Sequence, residues 1–188
     1  MQAIAFFLVL AASDIASPPV PVTLSETLDV NHYEVTGLSP EHLIHSFRMR
    51  PNPAIIATTR AGVSTRYDFA FGDGVCRLMQ VELTLDIDIT YPLWREEERG
   101  NETMRNEWSR FMTALEMHEE GHVRLFREAA EDLSDRLASL PPAQSCNALS
   151  QSVERERQRF DREVNVVQSA YELQTRNGAS QGARLRFN

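Results

Sequence analysis

Residues 81–90 read Val-Glu-Leu-Thr-Leu-Asp-Ile-Asp-Ile-Thr. Val81, Leu83, Leu85, Ile87 and Ile89 alternate without a break with Glu82, Thr84, Asp86, Asp88 and Thr90. A period of two sends successive side chains to opposite faces of a strand, so one face is apolar and the other acidic and wet. Such a strand belongs in an antiparallel sheet covered on one side only. Residues 64–71 alternate too, with Thr65, Tyr67, Phe69 and Phe71 on one face, and Gly72-Asp73-Gly74 is a hairpin signal between the two runs. Pro92 ends the second strand.

Upstream, Asn31-His32-Tyr33-Glu34-Val35-Thr36 has strand composition and stops at Gly37. A short helix follows: Ser39 caps it, Pro40 suits its first position, Leu38 staples onto Leu43, and it ends near Met49 before Pro51 and Pro53. Downstream the period becomes helical. Met104, Trp108, Phe111, Leu115, His118, His122, Leu125, Ala129 and Leu133 follow one another by three or four residues, until Leu140-Pro141-Pro142 closes the helix. A second helix opens near Ser145, carries Leu149, Val153, Phe160, Val164, Val167 and Tyr171, and ends at the C-cap Asn177-Gly178. These elements predict an α+β fold: a small antiparallel β-meander packed against two long helices.

The chain has 188 residues, enough for one domain with its own core. All 19 basic residues are Arg, against 27 Asp and Glu, for a formal net charge of −8. An acidic domain repels phosphate backbones and anionic lipid surfaces, so nucleic acid and membrane surfaces are poor partners. Residues 3–12 form an apolar run followed by small residues, the length of a signal-peptide core and far short of a bilayer span. No Arg or Lys precedes the run. The organisation read from this is a signal peptide over 1–17, an extended Pro-rich leader over 18–30, one domain over 31–178 and a loose tail over 179–188, in a chain exported to the periplasm or the extracellular space. Cys76 and Cys146 lie outside any CxxC pattern. In an exported chain such a pair suggests a structural disulfide, and in a cytoplasmic one two free thiols.

Within the first long helix, His118-Glu119-Glu120-Gly121-His122 matches H-E-x-x-H. A spacing of four puts both imidazoles on one helix face, able to grip a single Zn2+, with Glu119 placed to take a proton from a metal-bound water. Both His fall in the inward stripe, where two imidazoles without partners would be costly. The bland alternative is a pair of core histidines bonded to carboxylates of the neighbouring helix. Glu116 and Glu120 face elsewhere and read as solvated. A sheet edge beside the helix would suit an extended peptide added as a further strand.

Several features resemble one family together: the apolar leader, the strand with Tyr33, the strand with Cys76, Tyr91-Pro92-Leu93-Trp94, Trp108, Phe111, the H-E-x-x-H motif, Cys146, and Tyr171-x-x-x-Thr175-x-x-Gly178. Over roughly residues 30 to 180 the chain is similar to the bacterial proteins grouped as domain of unknown function 922, predicted secreted zinc-dependent proteases. The resemblance implies a zincin-like fold and hydrolysis of a peptide or protein substrate. Its late motif reads Tyr-Asp-x-x-Thr-x-His-Gly, and the resemblance implies that its His would be a natural third ligand. Here Asn177 stands at that position and Glu172 at the Asp position. Three readings stay open: Glu172 is the third ligand, as in His-His-Glu zinc enzymes; Asn177 binds weakly or only caps the helix; or the site has lost its metal and the protein is a non-catalytic exported binding domain. His32, His42 and His45 are the remaining imidazoles, the last two reading as surface residues. Tyr171 is a candidate hydrogen-bond donor to an oxyanion, or a core aromatic.

Overall fold

The computed structural model describes residues 19–187. The elements are β1 (Val22–Val35), α1 (Pro40–Arg48), β2 (Thr58–Gly72), β3 (Val75–Trp94), α2 (Glu102–Ala138) and α3 (Cys146–Thr175), with single 3-10 turns at Glu97–Arg99 and Ala179–Gln181. The alternating stretch is the spine of the sheet. β3 lies in the middle of a three-stranded layer of order β1-β3-β2, with Val81, Leu83, Leu85, Ile87 and Ile89 buried under the two long helices.

The β2–β3 hairpin is antiparallel, as its turn residues predict, with a register shift at Asp68/Phe69. β1 differs from the expectation: it pairs with β3 in parallel, from Val22↔Val81 to Val35↔Trp94, so the sheet is mixed and not an antiparallel meander. Period-two alternation reports which face is covered and carries no sign for strand direction. The direction follows from two reversals, one through α1 and its loop and one through the hairpin. The segment 18–30 is also corrected. From Val22 onward it is the first part of β1, its Val22, Leu24, Leu28 and Val30 lying opposite the inward residues of β3. Pro18, Pro19 and Pro21 masked that alternation. The candidate signal peptide lies outside the described residues.

Two apolar clusters share α2. One combines the inner face of β3 with Val123, Phe126, Ala130 and Leu133 of α2 and Leu149, Val153, Phe160 and Val164 of α3. The other gathers Leu43 and Phe47 of α1 with Trp94, Met104, Trp108, Phe111 and Leu115. Within α2, then, the second cluster ends at Leu115 and the first begins at Val123. His118, Glu119 and His122 are buried on the seam between them. Of the predicted stripe, Leu125 and Ala129 are only half-buried, while Val123, Phe126 and Ala130 are buried in their place. The helix is clasped by both the sheet and α3, which widens its apolar face.

The tail is corrected as well. Ala183 is buried, and Leu185 and Phe187 pack on the second cluster, so the chain through Phe187 is part of the domain. Apolar residues spaced singly between arginines give no period to read. Cys76 and Cys146 form a disulfide across a separation of 70 residues, tying the start of β3 to the start of α3.

Candidate metal centre

α2 runs 37 residues without proline, capped at its start by the Asn101 side chain on the Met104 N–H. Its regular 3.6-residue turn stacks His118 under His122, and their Nε2 atoms stand 3.3 Å apart. α3 packs alongside and brings Glu172 to the same point. Glu172 Oε2 is 3.4 Å from His118 Nε2, and Oε1 is 3.3 Å from His122 Nε2. Ligand atoms of these three residues all lie within 4.8 Å of one another, a group that could hold a metal ion. Among the sequence alternatives for a third donor, Glu172 is the one brought to the pair. Asn177 lines the adjoining cleft outside the group, and His32, His42 and His45 are exposed elsewhere.

The far side of each ring fixes its tautomer. Gln168 donates its amide N–H to the His122 carbonyl at 3.1 Å, which leaves its Oε1 to accept from His122 Nδ1. Tyr171 donates its hydroxyl to the His118 carbonyl at 3.2 Å and accepts from Gln181 Nε2 at 3.1 Å, which leaves Gln181 Oε1 to accept from His118 Nδ1 at 2.9 Å. Both Nδ1 atoms are therefore donors, and in neutral imidazoles both Nε2 atoms present lone pairs. Those lone pairs face each other and a carboxylate. Glu172 Oε2 is sealed from solvent and has no hydrogen-bond partner. An electron-rich pocket of this kind is unfavourable by itself and is satisfied by a cation at its centre.

Tyr171 lies parallel to the His118 ring at 5.3 Å and edge-on to His122 at 4.8 Å. With its hydroxyl bonded to the His118 carbonyl and to Gln181, it buttresses the two imidazoles. Glu119 is buried and accepts a hydrogen bond from Thr59 Oγ1 at 2.7 Å. Burial pushes its carboxyl above the usual carboxylate range, against the lowering effects of the Thr59 hydroxyl and of both imidazoles.

Glu119 and Glu172 sit where two clefts meet. One, of about 380 Å³, also takes in His118, Arg176 and Arg184; the other, of about 570 Å³, takes in His122, Phe126, Val164 and the start of β2. Ile55 and Ala57 wall both. That wall is pinned by Tyr33, whose hydroxyl donates to the Ile56 carbonyl, and by Arg50, which lies 3.5 Å over the Tyr33 ring and donates to the Ile55 carbonyl at 2.7 Å. Gln168, Gln181, Thr59 and Arg50 were not singled out in the sequence, because each acts through a contact distant along the chain. Only Gly121 carried a local signal: a glycine inside a long helix costs about 1 kcal/mol against alanine and asks for a packing reason.

Residues 30–179 match the family described as "Bacterial protein of unknown function (DUF922)", and the chain belongs to that family. No curated protein and no solved structure matches it. The match ends before Gln181. Among the described residues no helix is long and apolar enough to cross a membrane.

Proposed function

We propose that this chain is an exported zinc-dependent peptidase. The single observation that carries this reading is the convergence of His118, His122 and Glu172 on one point, with Glu119 beside it and clefts opening on both sides. Two imidazoles and a carboxylate, with room for a further ligand, are the donor set of catalytic zinc sites. In this reading the H-E-x-x-H helix and its third donor are zincin-like. Zinc, when bound, supplies a Lewis acid that polarises a carbonyl and acidifies water.

The chain's own residues do the rest. His118, His122 and Glu172 hold the ion, oriented by Gln181, Gln168 and Tyr171. Glu119, steadied by Thr59, takes a proton from water as its oxygen attacks the amide carbonyl carbon. It returns that proton to the nitrogen as the C–N bond breaks. β2 is an edge strand of the sheet, and its Thr58–Ala61 segment lines the larger cleft beside Glu119, so an extended peptide can add to that edge. Export is supported by the disulfide, which persists in oxidising compartments. The reading as a non-catalytic domain drew on Asn177 in place of a His; with Glu172 as third donor that argument loses its force.

The test is metal analysis and peptide hydrolysis on wild type and Glu119→Gln. The peptidase reading expects about one zinc per chain in both proteins and hydrolysis by wild type only. A wild type that holds zinc and cleaves no protein or peptide library leaves only a binding domain.

A further inference from the structure

We propose that the smaller cleft is an anion subsite in which Arg176 and Arg184 receive a carboxylate of the peptide substrate next to the bond that is cut. This rests on the peptidase reading for the nature of the substrate.

The observation begins with spacing. Glu172 and Arg176 are four residues apart at the end of α3, with the Glu first, the favourable order for an ion pair on a helix. That pair is not made. Glu172 turns its carboxylate to the two imidazoles, and Arg176 leaves the helix as its left-handed C-cap at φ 54°. Arg184 reaches the same cleft from the tail, whose backbone is pinned there by Arg110 donating to the Gly182 and Arg184 carbonyls at 2.9 and 2.6 Å. Among the described residues neither guanidinium has a carboxylate within ion-pair distance, in a chain of net charge −8.

The two clefts thus differ in chemistry. Beyond His122 the larger one presents Phe126 and Val164 with a single arginine, Arg60, on its β2 wall, whereas beyond His118 the smaller one is lined by two exposed arginines, Arg176 and Arg184, that among the described residues have no carboxylate partner. A divalent ion would offset Glu119 and Glu172, leaving both guanidiniums uncompensated. Guanidinium groups suit carboxylates through paired N–H donors, and their pull is strongest in a partly enclosed site. The carboxylate has two possible sources, an Asp or Glu side chain or the peptide's C-terminus.

The experiment uses the full-length, zinc-loaded Glu119→Gln protein, which separates binding from cleavage. Fluorescence anisotropy is read with extended hexapeptides identical except for Glu or Gln on either side of a central Ala-Ala, each with a free or an amidated C-terminus. The expectation is at least about tenfold tighter binding of the acidic peptide on one side. A preference kept by amidated peptides assigns the side chain, and one seen only with free acids assigns the terminus. Arg176→Gln with Arg184→Gln should abolish the preference, while the paired Lys substitutions keep part of it. Equal affinity for Glu and Gln peptides of both terminal forms, a preference that survives the Gln substitutions, or no binding of any peptide overturns the proposal. Wild-type hydrolysis is scored separately: charge preference without cleavage sinks the peptidase reading alone, and cleavage without charge preference sinks the subsite alone.

Discussion

Gly121 and Tyr171 are fitted to one another across the α2–α3 interface: a Cβ at position 121 would fall inside the Tyr171 hydroxyl and its ring carbon. The missing side chain lets the phenol lie across the helix turn between the two histidines, where it stacks on one and props the other.

Gly121→Ala should therefore destabilise the protein, since overpacking costs about 1–3 kcal/mol and exceeds the helix-propensity gain of about 1 kcal/mol. With Tyr171→Ala already in place the same substitution should become stabilising. Urea denaturation of the four proteins in this cycle measures the sign, and an unchanged sign in both backgrounds would refute the fit.

Gln168 and Gln181 hold the Nδ1 side of the two imidazoles. Replacing either with Ala should weaken zinc binding by about tenfold, the lower end of what such supporting contacts are worth. Competition titration against a chromophoric chelator gives the number. Affinity unchanged in both variants would mean that the rings hold their orientation without them.

The Cys76–Cys146 bond closes a loop of 70 residues. In the chain-entropy account this is worth about 4 kcal/mol, so the double Ser variant should lose roughly that much stability against denaturant. Reductant should lower the wild-type midpoint to that of the variant and leave the variant unmoved.

Arg127 of α2 grips Glu26 of β1 through two hydrogen bonds of 2.8 Å and holds that carboxyl below the usual carboxylate range. Both side chains are partly exposed, so the pair is worth no more than about 1 kcal/mol. The folded-state value lies below the unfolded one. The contribution is therefore present above about pH 4.3, the ordinary Glu value. It fades as acid protonates Glu26 through its lowered folded value. Arg127→Gln should be less stable than wild type at pH 7, and the difference should shrink as the pH falls below about 4.3, as read by denaturant titration across that range.

The divide between what could be read from residues and what could not is physical. The alternation of residues 81–90 showed a strand covered on one side, and that strand is the middle of the sheet. The stripe from Met104 to Leu133 showed a long helix with His118 and His122 facing inward, and both are buried. Ser39, Pro40 and Gly72-Asp73-Gly74 marked a helix start and a hairpin through local backbone preferences that hold in any fold. Each of these signals acts over a few residues, and such signals survive in the sequence alone.

The parallel pairing of β1, its start at Val22 and the packing of the tail against Trp108 and its neighbours are contacts between distant segments. Burial periodicity names the face that is covered and is silent about what covers it. The candidate metal centre divides along the same line. H-E-x-x-H set two imidazoles one helical turn apart by helix geometry alone. That Glu172 and not Asn177 joins the two imidazoles in a group that could hold a metal ion, and that Gln168 and Gln181 stand behind the rings, was decided by the packing of α3 and the tail onto α2. Only chain segments brought together by the two apolar clusters could decide which oxygen reaches two nitrogens.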